Sequence, residues 1–201
     1  MRTMIPRYQI RADHDDATIV VYQAYRPAIA DAAVRAGRFV APFSRDRMTW
    51  IKPSFAWMMH RCGWATKDGQ ERVLALRLTR EGFDAALRDA CLSSFRPGVY
   101  ASQDAWKERM RATAVRVQWD PERTLQDVAL DHRSIQIGLG PKVVPAFVDA
   151  WIVQLDDITP LVRTIRARLD AGDLDGAEAL RPKERPYPVA PEIASLLGMT
   201  R

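Results

Sequence analysis

Two cysteines, Cys62 and Cys91, in 201 residues are too few for a disulfide framework, so the fold must rest on its own core. Met1 to Asp16 holds no apolar segment long enough for a secretory leader, and reduced thiols in a cytoplasmic protein are therefore expected. No stretch approaches the ~18 consecutive apolar residues of a spanning helix, which argues against a membrane partner. The three histidines, His14, His60 and His132, are scattered, and only His60 has a cysteine nearby, so no metal site is expected. A Gly-rich phosphate loop ending in Gly-Lys-Ser/Thr is absent, as are a Gly-x-Ser-x-Gly elbow and the His-x-Glu with Pro-Cys-x-x-Cys pairing of deaminases. Gly138 and Gly140 lack the third glycine of a dinucleotide fingerprint and run into Pro141, which reads as a turn. There is no basic block, internal repeat or low-complexity segment.

What is present is an ordinary globular composition, 47% hydrophobic and 27% charged. Thirty Lys and Arg against twenty-five Asp and Glu give a net charge of +5, spread along the chain, which mildly favours polyanionic partners or phosphate-bearing ligands. The pattern of elements predicts an α+β fold, a mixed or split β-sheet with packed helices. It forms a single domain over 1–201, in which 181–201, with Pro182, Pro186, Pro188 and Pro191, is an extended tail packed on the body.

Ile19 to Tyr25 reads as a strand, followed by a helix that starts at Pro27, carries Ile29, Ala33 and Ala36 on one face and stops at Gly37. Val73 to Leu78 reads as a second strand, with Thr79 capping a helix that bears Phe83, Leu87, Ala90 and Cys91. Ser102 caps a short helix through Met110. Ala114 to Trp119 alternates, placing Val115, Val117 and Trp119 in the core, and Asp120 to Arg123 reads as a turn. Arg133 to Leu139 alternates again, with Ile135, Ile137 and Leu139 inward. Val143 to Trp151 fits a helix, and another starts near Pro160 and runs to Gly172.

Large rigid side chains and cations concentrate between Arg47 and Trp64, which holds three of the six tryptophans and three of the seven methionines. Pro53 pushes Lys52 to an extended conformation, and Ser54 then caps a helix in which Phe55, Met58, Met59 and Cys62 share a face. One reading makes this a buried helix behind an extended entry. A second, compatible with the first, makes the Trp50 to Ser54 turn a pocket wall, with Trp50 or Trp57 as a platform for a ring and Lys52 or Arg61 for an anion. Gln23, Tyr25 and Arg26 stand at a strand-to-helix junction, a place where open sheets often hold ligands, although Tyr25 and Arg26 equally suit a cover over the helix start. Small Ser134 and Gly138 flank Gln136 and leave its amide room for a ligand, or Gln136 is a plain surface amide.

Met48 to Phe55, with Tyr22 to Tyr25 upstream and Arg133 to Leu139 downstream, resembles the family called domain of unknown function 4291. The resemblance extends through Glu184 to Pro188 and Leu197 to Met199 and covers nearly the whole chain. The layout is also similar to that of ADP-ribosyltransferases. That resemblance implies an enzyme that uses NAD as substrate to modify an unidentified acceptor, whether protein, nucleic acid or small molecule. It casts Arg26 or Tyr25 in the role of the first-strand ribose contact, Ser54 with Trp50 or Trp57 near nicotinamide, and Gln136 on the late strand, with Gln where transfer to protein usually uses Glu. The competing expectation is a non-catalytic nucleic-acid-binding module built on the basic surface and exposed tryptophans.

Overall fold

The computed structural model describes residues 5–200. In chain order the first half runs β1 (Arg11–Ala12), β2 (Thr18–Tyr25), α1 (Pro27–Ala36), β3 (Thr49–Ile51), α2 (Phe55–Cys62), β4 (Arg72–Thr79), α3 (Arg80–Asp89) and β5 (Ala90–Leu92). The second half adds α4 (Gln103–Ala112), β6 (Val115–Arg123), β7 (Ala129–Leu139), α5 (Val144–Ala146) with a π-helical turn over Phe147–Trp151, β8 (Ile152–Asp157), α6 (Thr159–Asp170), α7 (Leu174–Leu180), β9 (Arg185–Pro186) and α8 (Pro191–Leu196). The fold is α+β. Its strands form an antiparallel sheet β2-β4-β8, a mixed sheet β3-β7-β6-β5 in which only β5 is parallel to its neighbour, and the small pair β1-β9.

The strand β2 explains why the sheets are split. Its eight residues alternate between two cores: Ile19 and Val21 pack with Leu74, Leu76, Ile135 and Ile137, while Val20 and Tyr22 pack with Phe55, Met58, Met59, Val162 and Ile165. A strand apolar on both faces is covered on both, and here the covers are the second sheet on one side and α2 with α6 on the other. A backbone bridge also joins the two larger sheets, where Tyr22 N–H donates to Lys52 O at 2.7 Å and Lys52 N–H to Tyr22 O at 3.2 Å. That bridge fixes the extended Lys52 at the end of β3, directly before the α2 cap.

Local signals set several boundaries as expected. Gly37 and Gly63 adopt left-handed φ values of 66° and 57° and end α1 and α2. Ser54, Thr79 and Ser102 each accept the hydrogen bond of an N-cap, from Trp57, Gly82 and Ala105.

Other expectations are corrected. Ala90 and Cys91 lie in β5, not on the preceding helix, because α3 ends at Asp89 and three consecutive buried residues fit a fully covered strand as well as a helix turn. Asp120 to Arg123 is no turn: β6 continues to Arg123 across a register shift after Pro121, the irregularity at which a sheet tolerates proline. Ala36 is exposed, and α1 buries Ala30 and Ala33. Trp119 is only partly buried, its indole N–H donating to Leu197 O at 3.0 Å. Residues 181–200 pack on the body, through the β9 pairing with β1 and the buried Tyr187, but they are not extended throughout, since Pro191 opens α8. The strand β8 and the helix α7 were not anticipated. Among the described residues no helix is long and apolar enough to cross a membrane.

Candidate functional site

A cavity of about 500 Å³ opens where the C-terminal end of β2 meets β3, the N-terminal loop before β3 and the outer face of α2. Gln23, Tyr25, Arg26, Trp50 and Lys52 line it together. Its floor is a hydrogen-bonded unit. Gln23 Nε2 donates to Thr49 Oγ1 at 2.6 Å and to Trp50 O at 3.0 Å, and the Tyr25 hydroxyl shares Thr49 Oγ1 at 2.8 Å. Burial pushes the Tyr25 phenol up to about 12, so it stays protonated and able to donate.

The cavity is basic. Arg26, Arg47, Lys52 and Arg61 line it, no Asp or Glu does, and none of the four cations joins an ion pair among the described residues. The three arginines are exposed at the rim, whereas Lys52 is 6% exposed. Desolvation, followed by the nearby Arg61 charge, lowers its ammonium to about 8, against a smaller opposing effect of Asp120. Its hydrogen bond is a long 3.4 Å contact to Trp50 O. A buried cation held this loosely gains most from an anion that enters the cavity. Trp50, Tyr25 and Phe43 supply aromatic surface on the same walls.

Trp50 owes its position to Gly138, its partner across the β3-β7 ladder. A Cβ at Gly138 would come within 2.9 Å of the Trp50 ring and 2.8 Å of Met48 Sδ, so the missing side chain is the space in which the indole lies. The room beside Gln136 is thus taken by tryptophan. Gln136 does not line the cavity; its Nε2 donates to Gln118 Oε1 and to Asp120 Oδ2, both at 2.7 Å. With both amide hydrogens engaged, only Oε1 is left for a further contact, as an acceptor. Ser134, buried at 4%, stands opposite Asp120 on the same ladder and is also outside the cavity.

Ser54 and Trp57 lie elsewhere. Ser54 Oγ accepts from Trp57 N and donates to Glu122 Oε1 at 2.9 Å, and it lines a second cavity, again of about 500 Å³, with Glu122, His132 and Glu184. Glu184 Oε1 accepts from Phe55 N at 2.7 Å. Desolvation raises the Glu184 carboxyl to about 8, the Phe55 N–H opposes this, and the neighbouring Glu122 charge adds to it, so the carboxyl carries its proton at neutral pH. Trp57 is buried and stacks on His60, ring centroids 4.9 Å apart, away from both cavities. Sequence reasoning assigned no site role to Thr49, Arg47, Glu122 or Glu184, although Arg47 and Thr49 lie inside the Trp-rich stretch and Glu184 opens the motif that runs to Pro188.

The family model described as Domain of unknown function (DUF4291) matches residues 9–187, a span that includes both cavities' main walls. The chain belongs to this family. No curated protein matches it. The motifs Tyr22 to Tyr25 and Met48 to Phe55 both lie within the matched span, and the family's description names no activity.

Proposed function

We propose that the basic aromatic cavity binds NAD and that the protein acts as an ADP-ribosyltransferase-like enzyme. The observation that carries this reading is the set of four cations around an aromatic surface, with neither an ion-pair partner nor a carboxylate on the wall among the described residues. A dinucleotide matches that set: its pyrophosphate meets Arg26, Arg47, Arg61 and Lys52, and one ring lies against Trp50. A cavity of about 500 Å³ suits a bound small molecule better than an extended polymer.

Cleavage of the nicotinamide glycosidic bond builds positive charge on the ribose, which calls for orientation and electrostatic support more than for a strong base. Gln136 stands outside the cavity with both amide hydrogens held, so the ribose contact that the resemblance assigns to it does not come from the cavity wall, and Asp120, which holds the Gln136 amide, is the acidic group whose charge reaches Lys52. Ser54 takes no part in this version, because its hydroxyl is engaged by Glu122 and the α2 cap.

The reading is tested by titrating NAD while following tryptophan fluorescence and heat. Saturable binding with Trp50 quenching, lost in Trp50→Leu, is expected. Absence of NAD binding, together with single-stranded nucleic-acid binding that falls steeply with salt, would instead favour a nucleic-acid module.

A further inference from the structure

We infer that the cavity takes a phosphate monoester in addition to the pyrophosphate of the dinucleotide, and that Arg26 and Arg47 hold it. The inference rests on the NAD reading of the cavity and adds to it a second anionic group, carried by the dinucleotide itself or by the acceptor.

The cations of the cavity stand in two groups set by the strand pairing. Counted three residues along each strand, the antiparallel Tyr22–Lys52 bridge leads to Tyr25 and Thr49, whose hydroxyls lie 2.8 Å apart. Lys52 is therefore separated from the Tyr25–Thr49 pair by roughly 10 Å of extended backbone. Arg61 belongs to the Lys52 end, where its charge acts on the ammonium. Arg47 belongs to the other end, where its charge acts on the Tyr25 phenol, and Arg26 follows Tyr25 directly in the chain. All four cations line the one cavity.

Arg26 and Arg47 are exposed, so a ligand at the cavity mouth reaches them. Neither has a carboxylate partner among the described residues, whereas Arg45, two residues before Arg47, holds Asp149 with two hydrogen bonds. A pyrophosphate lying between the two ends carries two negative charges against the four cations, and its phosphates share one oxygen, too short a unit to answer both ends fully. A phosphate monoester adds close to two charges at neutral pH, about what the pyrophosphate leaves unanswered. Its oxygens also suit the planar forks of two guanidinium groups, and a carboxylate would bring a single charge. On a dinucleotide, a phosphate attached to ribose stands a sugar away from the pyrophosphate, which lets the two anionic groups occupy the two ends.

The test is calorimetric titration of the full chain with NAD and with NADP, whose additional phosphate is a ribose monoester. The NAD-saturated protein is then titrated with ribose 5-phosphate and with ribose. If the dinucleotide carries the group, NADP binds at least about tenfold more tightly than NAD. If the acceptor carries it, NADP shows no such gain, and the NAD-saturated protein binds ribose 5-phosphate but not ribose. The double variant Arg26→Gln, Arg47→Gln weakens NAD as well, so the quantity read is the gain due to the monoester. That gain is expected to vanish in the double variant and to persist in Lys142→Gln, which removes an exposed charge outside the cavity. A smaller gain from NADP together with no binding of ribose 5-phosphate overturns the inference and leaves the NAD reading standing. A gain that survives the double variant, or that Lys142→Gln diminishes as much, also overturns it, because the phosphate is then held elsewhere or by net charge alone. Failure of both dinucleotides to bind overturns the NAD reading and the inference together.

Discussion

Lys52 and Ser54 are separated only by Pro53, yet they line cavities of opposite character. On the Lys52 side, cations stand without a carboxylate on the wall. On the Ser54 side, Glu122 takes the Ser54 hydroxyl and the Arg123 N–H, and Glu184 takes the Phe55 N–H. In the second cavity Ser54, Glu122 and Glu184 are tied to the protein, and those bonds fasten the start of α2 to β6 and to the segment before β9. The first leaves its charge open. Two cavities of similar volume thus differ in whether the fold answers the charged groups at their walls, the carboxylates of one being hydrogen-bonded and the cations of the other having no carboxylate beside them, and that difference distinguishes a fastening from a site that a ligand completes.

Lys52→Met gives the largest expected effect. Without the buried ammonium, NAD affinity should fall by about ten- to a hundredfold, the worth of a charged contact of about 1.5 to 3 kcal/mol. Stability at pH 7 should hold or rise, since an unpaired desolvated cation is gone. Calorimetric titration and denaturant melts check both; a stability loss above ~1 kcal/mol would show that Lys52 fastens the fold and would break the contrast. The same residue sets a pH dependence. The protonated form holds the phosphates, so affinity in the parent should decline as pH rises through about 8, and this decline should vanish in Lys52→Met.

Gly138→Ala comes next. The new methyl meets Met48 Sδ and the Trp50 ring; the methionine can swing aside, but the indole must leave its bed. A loss of about 1 to 3 kcal/mol is expected, with a changed tryptophan emission and weaker NAD binding. Unchanged emission would mean that the wall of the first cavity does not depend on Gly138.

The smallest effect sharpens the other side. Glu184 has its folded-state carboxyl raised from 4.5 to about 8, so the folded chain binds the extra proton between those values. Its contribution to stability is therefore full below the unfolded value and is lost as pH rises through about 8. Glu184→Gln imitates the protonated acid and keeps an acceptor for Phe55 N. It should match the parent at pH 5 and exceed it at pH 9 by on the order of 1 kcal/mol, discounted for solvent reaching the cavity. Melts at the two pH values that run parallel for both proteins would remove Glu184 from the fastening.

Much of this architecture was legible locally. Pro27 and Gly37 bracket α1, the three hydroxyl caps are where a polar residue precedes an apolar helical period, and Val115, Val117, Ile135 and Ile137 are inward by simple alternation. Of the candidate site, Gln23, Tyr25, Arg26, Trp50 and Lys52 come together, because they flank the Tyr22–Lys52 bridge. Gln136, Ser134, Ser54 and Trp57 do not join them. Gln136 faces the expected side of its strand, but alternation says nothing about Gln118 and Asp120 arriving from β6 to take its amide.

What the sequence by itself determined is the set of elements with strong local signals, and the density of aromatics and cations between Arg47 and Trp64. Those follow from interactions within a few residues: φ preference, cap hydrogen bonds, and the period of apolar side chains. Only the tertiary structure decided which charges were left unpaired. Among the described residues none of the segments folded around Lys52 brings a carboxylate to the cavity wall, while Ser54 meets Glu122 and Phe55 meets Glu184 from 68 and 129 residues away. A counter-ion is a matter of which distant segment arrives, and burial then decides whether the charge persists, loses its proton, or waits for a ligand.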